Sequence, residues 1–142
     1  MRVLLVEDNP GDVRLTREAF REANMAVELH VASDGVEALA FLGQEDAHAD
    51  APRPDLVLLD LNLPKVDGRE VLARIKEDDS LKTIPTLILS TSDAAADIRR
   101  SYQLHANAFL SKPLHLNQFQ SLVSSINDFW LTKAKLPPRS DG

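Results

Sequence analysis

Short runs rich in Val, Leu and Ile alternate along this chain with longer stretches in which apolar residues recur at helical spacing. That alternation restricts the fold more than any other feature. The runs lie at residues 2–6, 27–32, 55–60, 86–90 and 107–111. Strands that are apolar on both faces belong to parallel sheets covered by helices on both sides. Repeated β/α units of this kind predict a single doubly wound α/β domain.

The intervening segments carry helix signals. Asn9-Pro10-Gly11 opens the first, in which Val13, Thr16, Phe20 and Ala23 form one stripe. Asp34 caps a second, with Val36, Leu39 and Ala40 expected to face inward, and Asp67-Gly68 opens a third carrying Val71, Leu72 and Ile75. A fourth, from about Asp93, offers only Ile98 and Tyr102 as large apolar side chains, so it is expected to bury little area and to be held weakly. The fifth sets Leu116, Phe119, Leu122, Val123, Ile126 and Trp130 on one face. Apolar residues continue through Phe129 and Leu131, more than one packed face requires. Residues 43–54 read as a polar loop and residues 136–142 as a disordered end.

With 142 residues, 44% of them hydrophobic and 27% charged, the chain suits one globular domain. Its 16 basic residues are dispersed among 22 acidic ones for a net charge of -6, which argues against a nucleic-acid partner. The absence of cysteine excludes a disulfide framework and a thiolate metal site. The first residues reach Glu7 and Asp8 before a signal-peptide apolar region forms, and no run approaches the ~20 residues of a membrane helix. A soluble cytoplasmic protein without a membrane partner is the expectation.

In an open α/β sheet, ligands bind beyond the carboxyl ends of the strands. Asp60 ends one apolar run, Glu7 and Asp8 follow the first, Ser90 closes the fourth and Lys112 follows the fifth. Three carboxylates at neighbouring strand tips would repel one another and be pushed toward protonation unless a cation intervened. An all-oxygen set of this kind suits Mg²⁺. With Lys112 on the other side, an oxyanion at Asp60 would be balanced from two directions, an arrangement suited to phosphoryl transfer. Asp60 then serves as a nucleophile forming an aspartyl phosphate, and the Ser90 hydroxyl donates to a phosphoryl oxygen. Asp60 alone would be read as a turn residue, and its meaning comes from the company of the other four. The Lys112-Pro113 bond is a candidate cis peptide. His30, His48, His105 and His115 are scattered and receive no role.

These residues resemble the receiver domain of two-component response regulators over residues 1–128, leaving 129–142 as a C-terminal extension. The matching features are the Glu7-Asp8 pair, Asp60 followed by Leu63-Pro64 and Asp67-Gly68, Ser90, and Lys112-Pro113. The resemblance implies a flavodoxin-like parallel sheet of order 2-1-3-4-5. It implies that Asp60 accepts a phosphoryl group from the phosphohistidine of a sensor histidine kinase, in a self-catalysed reaction rather than as a turnover enzyme. It further implies that Mg²⁺ is bound by Asp8, Asp60 and the Asn62 backbone carbonyl, with Glu7 acting through water. Ser90 and Phe109 would form a switch pair, although Phe109 read by itself is equally a static core ring. Asn62 and Ser92 would tune dephosphorylation. Serine in place of the commoner threonine and phenylalanine in place of tyrosine remove one methyl and one possible hydrogen bond from that switch.

A narrower similarity is to stand-alone regulators partnered with phytochrome-type histidine kinases. It is carried by Asp60-Leu61-Asn62-Leu63-Pro64-Lys65, Asp67-Gly68-Arg69-Glu70-Val71-Leu72, Leu89-Ser90-Thr91-Ser92 and Phe129-Trp130-Leu131. It implies a light-signalling pathway and a homodimer formed through the fourth and fifth helices and the extension, with Phe129, Trp130 and Leu131 at the seam. Those three residues could instead close the hydrophobic core, but the preceding face already covers the sheet, so the seam is the better account. Two other functions share the layout: a phosphate sink, and an Mg²⁺-dependent aspartyl-phosphate phosphatase. The second usually has an acid/base Asp two residues after the nucleophile, where this chain has Asn62.

Overall fold

The computed structural model describes residues 1–23 and 26–138. Five parallel strands form one sheet: β1 (Arg2–Val6), β2 (Glu28–Ala32), β3 (Leu56–Leu59), β4 (Thr86–Ser90) and β5 (Ala108–Ser111), in the order β2-β1-β3-β4-β5. They are joined by α1 (Pro10–Glu22), α2 (Gly35–Gly43), α3 (Gly68–Glu77) and α4 (Ala95–Gln103), and α5 (Leu116–Ile126) follows the last strand. This is the doubly wound α/β domain that the alternating pattern predicts, with the flavodoxin-like strand order that the resemblance implies.

Successive strand residues point to opposite faces, and both faces are apolar, so the sheet divides the interior into two cores. Val3 and Leu5 of β1 and Leu56 and Leu58 of β3 pack with Ala19 and Phe20 of α1 and Phe119, Val123 and Ile126 of α5. Leu4, Val6, Val57 and Leu59 instead pack with Ala38, Phe41 and Leu42 of α2 and Val71, Leu72 and Ile75 of α3. Because the central strands β1, β3 and β4 are sealed on both sides, their ends are held in depth and register. Val6 lies opposite Leu59, and the Asp60 N–H donates to the Val6 carbonyl at 3.1 Å. Glu7 and Asp60 therefore leave the sheet side by side.

Several local expectations shift. The buried stripe of α2 is Ala38, Phe41 and Leu42, while Val36 is exposed: the Asp34 cap, whose side chain accepts from the Glu37 N–H at 2.7 Å, sets a different rotation of the helix. In α1 the buried residues are Thr16, Ala19 and Phe20, and Ala23 is the exposed C-cap. No cis peptide occurs among the described residues, so the candidate at Lys112-Pro113 is overturned; the Lys112 N–H is instead fixed by the Ser90 carbonyl at 2.7 Å.

The fourth helix is as lightly held as its composition suggests. Its sole buried residue is Ser101, and its N-cap, Ala94, has no side chain able to cap it. After α5 the chain widens into a π-helical segment, Asn127–Lys133. There Trp130 and Leu131 fold back against the α1/α5 core, whereas Phe129 stays 54% exposed with its ring edge-on to Trp130. Of the expected disordered end, Pro137 and Pro138 lie beside Arg53, Pro54 and Pro85, and residues 139–142 lie outside the described residues.

Candidate functional site

The carboxyl ends of β1, β3 and β5 bring Glu7, Asp8, Asp60 and Lys112 into one cluster. Carboxylate oxygens of Glu7, Asp8 and Asp60 all lie within 4.8 Å of one another. Glu7 and Asp60 are buried, at 2% and 7% exposure, and Asp8 faces solvent. Opposite them, the Lys112 ammonium ion-pairs closely with Glu7 Oε1 and lies 3.3 Å from Asp60 Oδ2. The Asn9 N–H donates to Glu7 Oε2 at 3.1 Å, and the Asn62 N–H donates to Asp60 Oδ1 at 3.3 Å.

Burial dominates the chemistry of Glu7. It pushes the carboxyl up to about 7, against the hydrogen bonds from Lys112 and Asn9 that pull it down, with the Asp60 charge adding to the rise. Burial would by itself lower Lys112, but hydrogen bonds to Asp12 and Glu7 raise it well above the usual lysine range. Lys112 is therefore a permanent cation in this site. A buried carboxyl pushed toward protonation beside two more acids marks a site with unmet demand for positive charge. Three clustered carboxylates with solvent on one side fit a hard divalent ion by charge and by donor type. Asp8, Asp60 and Glu7 are the groups present to hold it.

One member of the cluster escaped the sequence reading. Asp12, in the first turn of α1, places Oδ2 2.8 Å from the Lys112 ammonium. The signal was available: Asn9 caps α1 by accepting from the Asp12 N–H at 3.1 Å, which turns the first helical residues back toward the end of β1. An acid there reads as a helix-dipole residue unless the lysine from β5 is already known to be close.

Ser90 is fully buried at the end of β4, and its Oγ accepts from the Ser92 N–H at 3.1 Å. The Ser92 hydroxyl donates to Asp97 Oδ2 at 2.6 Å, and the other Asp97 oxygen accepts from Arg69 Nη2 at 2.8 Å. Neither Arg69 nor Asp97 was anticipated. Phe109 is half-buried in β5 against the α2/α3 core, and its N–H donates to the Tyr102 hydroxyl at 3.2 Å. Asn62 is exposed in the loop after Asp60. That loop is clamped by α3: the Gly68 N–H donates to the Leu61 carbonyl at 2.8 Å, and a Cβ at Gly68 would stand 2.2 Å from the Asp60 carbonyl oxygen. Only glycine allows this approach. Phe129, Trp130 and Leu131 belong to the segment after α5 and make no part of the cluster.

An acidic trio and a buried lysine at the strand ends of a 2-1-3-4-5 sheet define a phosphoryl-accepting signalling domain, and comparison with known proteins assigns it. Residues 3–124 match the response regulator receiver domain, and the chain belongs to that family. It is 46% identical over 135 residues to response regulator Rcp1 of Synechocystis sp., covering 95% of this chain and 92% of that protein. The structure of the Mn²⁺-bound form of Rcp1 superimposes with a TM-score of 0.90 at 45% identity, covering 96% of this chain and 99% of the other. The phosphorylated cyanobacterial phytochrome response regulator RcpA gives a TM-score of 0.92 at 50% identity, covering 96% and 98%. Among the described residues, no helix is long and apolar enough to cross a membrane.

Proposed function

We propose that this chain is a phosphoryl switch in which Asp60 accepts a phosphoryl group from a sensor histidine kinase. The observation that carries this reading is the Lys112 ammonium, held by Glu7, Asp12 and Asp60 next to the only group of clustered acids among the described residues suited to a metal. An Asp60 oxygen forms the new P–O bond as the P–N bond of phosphohistidine breaks and its electron pair returns to the imidazole. Lys112 pairs with the anionic oxygens of the acylphosphate, and the Ser90 hydroxyl donates to another. Mg²⁺, when bound through Asp8, Asp60 and the Asn62 carbonyl with Glu7 behind a water, supplies neutralisation of charge on the transferring group.

The output is carried by Ser90 and Phe109 as a switch pair acting on α4, β5 and α5. Asn62 and Ser92, two positions beyond site residues, set access of water to the acylphosphate. We assign residues 1–128 to the receiver and 129–142 to an extension that joins a homodimer face. Supporting exposed apolar surface on these elements are Leu114 at 76% exposure, Tyr102 at 49% and Phe129 at 54%, and a groove of about 420 Å³ lined in part by Pro113, Leu114 and Leu122. The kinship to the cyanobacterial phytochrome response regulator RcpA supports a phytochrome-type kinase as partner in a light-dependent pathway, which we place in the cytoplasm. Asn62, unable to act as acid or base, argues against a phosphatase acting on esters.

Light scattering with Mg²⁺, with and without beryllofluoride, tests site and output together. A shift in molecular mass that disappears in Asp60→Asn is the expected result. Labelling of Asp60→Asn by a phosphodonor as strongly as the parent would refute the assignment. Beryllofluoride binding without any change of mass would leave a phosphate sink as the better description.

A further inference from the structure

We propose that Arg69 is a positioning residue: from the first turn of α3 it holds the start of α4 through Asp97 and Ser92, and so sets how far occupancy of Asp60 moves α4. The proposal rests on the reading of Asp60 as phosphoacceptor and Ser90 as its responding hydroxyl.

The contacts form an unbroken chain between the phosphoryl site and a helix that has little else to hold it. Ser90 Oγ accepts from the Ser92 N–H at 3.1 Å. Ser92 Oγ donates to Asp97 Oδ2 at 2.6 Å and also accepts from the Ala94 N–H at 3.3 Å, tying it to the residue that starts α4 and to its first turn. Asp97 Oδ1 takes the guanidinium of Arg69 at 2.8 Å, and Arg69 is steadied by Asp67 at 3.2 Å. The hydrogen bonds from Ser92 and Arg69 hold the Asp97 carboxyl below the usual aspartate range, and Asp97 and Asp67 raise the Arg69 guanidinium.

The two ends of this chain differ in rigidity. The α3 end is anchored by buried Val71, Leu72 and Ile75 and by the backbone contact at Gly68, whereas α4 buries only Ser101. When the Ser90 hydroxyl turns toward a phosphoryl oxygen, the atom gripping the Ser92 N–H moves. Ser92 then draws on both of its bonds to the first turn of α4. Arg69 opposes that pull from a fixed position, because its fork fills the remaining oxygen of Asp97. Removing Arg69 shifts the resting equilibrium of α4 toward the released arrangement before any phosphoryl group arrives.

The test is amide hydrogen exchange of residues 91–103, with and without beryllofluoride and Mg²⁺, in the parent and in Arg69→Ala, Asp97→Asn and Asp67→Asn. Arg69→Ala should raise exchange at the start of α4 about two- to fivefold in the absence of the mimic, the size expected of a partly exposed charge pair. It should also reduce the further change that the mimic causes. Asp97→Asn should act alike, and combining Arg69→Ala with Asp97→Asn should be no worse than either single change. Asp67→Asn keeps the α3 cap and the Arg69–Asp97 pair while weakening one support of Arg69, so it should raise exchange at α4 less than Arg69→Ala does. Unchanged resting exchange and a full mimic response in Arg69→Ala would overturn the relay while leaving the Asp60 reading intact, and so would a uniform rise over β1 and β3. If the parent itself neither binds beryllofluoride nor changes at α4, the Asp60 reading fails and the relay fails with it.

Discussion

Replacing Lys112 with Met keeps the length of the stem and removes the single cation from a pocket that holds Glu7, Asp8, Asp12 and Asp60. In the parent, the ammonium lies 2.8 Å from Asp12 and 3.3 Å from Asp60, besides its close pair with Glu7. Each such pair carries a gross attraction on the order of 5 kcal/mol at an effective dielectric of 20, most of it offset by desolvation. Leaving a buried carboxylate without its partner costs about 3–5 kcal/mol net, and the partial exposure of Asp12 argues for the lower end. We expect a loss of about 3 kcal/mol at pH 8 without divalent ions. The loss should be smaller at pH 6. The folded Glu7 carboxyl lies near 7 against an ordinary 4.5, so the stability tied to its proton is present below 4.5 and lost as pH rises through 7. At pH 6 that proton is largely in place and the missing ammonium is missed less. Urea unfolding at both pH values, then with Mg²⁺, reads the effect as a midpoint drop of about 1–2 M at pH 8 that Mg²⁺ partly restores. A loss below about 1 kcal/mol at pH 8, or an equal loss at pH 6 and pH 8, would refute the electrostatic account of the site.

The same titration bears on metal affinity: calorimetry should show Mg²⁺ binding weakening by up to about tenfold from pH 8 to pH 6, as protons compete at Glu7. A flat profile would count against Glu7 as part of the metal's surroundings. Gly68→Ala should destabilise the fold by about 2–4 kcal/mol and slow phosphorylation, because the new methyl meets the Asp60 and Leu61 backbone at 2.2–2.7 Å; a urea midpoint within error of the parent would show that the loop yields freely. Phe129→Ser should leave the urea midpoint nearly unchanged and weaken self-association, whereas Trp130→Ala should lower stability by about 1–2 kcal/mol, since of the two only Trp130 packs on the core. Sedimentation of the two variants separates the effects, and equal self-association of Phe129→Ser and the parent would remove Phe129 from the seam.

The sheet was legible because its central strands are sealed on both faces: the β1 and β4 runs coincide with residues 2–6 and 86–90, and the other three run one residue too long at one or both ends. The strand-tip residues Glu7, Asp8, Asp60, Ser90 and Lys112 were legible for the same reason, since a polar residue ending a buried run announces its place. Helix rotation was less so. Val36 and Ala38 are both plausible inward residues of α2, and only the angle at which Asp34 starts the helix decides between them. Asp12, Arg69 and Asp97 carry the charged contacts that sequence reading missed, because each lies on a helix surface where acids and bases are commonplace. Their partners are 100, 28 and 28 residues away in sequence, respectively, and no local pattern reports such a meeting. Trp130 illustrates a mixed case: its apolar character was plain, but whether it sealed the core or faced a partner depended on the π-helical widening after Ile126.

The thin attachment of α4 divides the molecule by tolerance to change. Substitutions along its outer face meet almost no packed neighbours, so they alter what the helix recognises at little thermodynamic expense. The acceptor pocket, framed by sealed strands, enjoys no such freedom. Relatives sharing this architecture are therefore free to diverge in whom they address while keeping unaltered the reaction by which they are addressed.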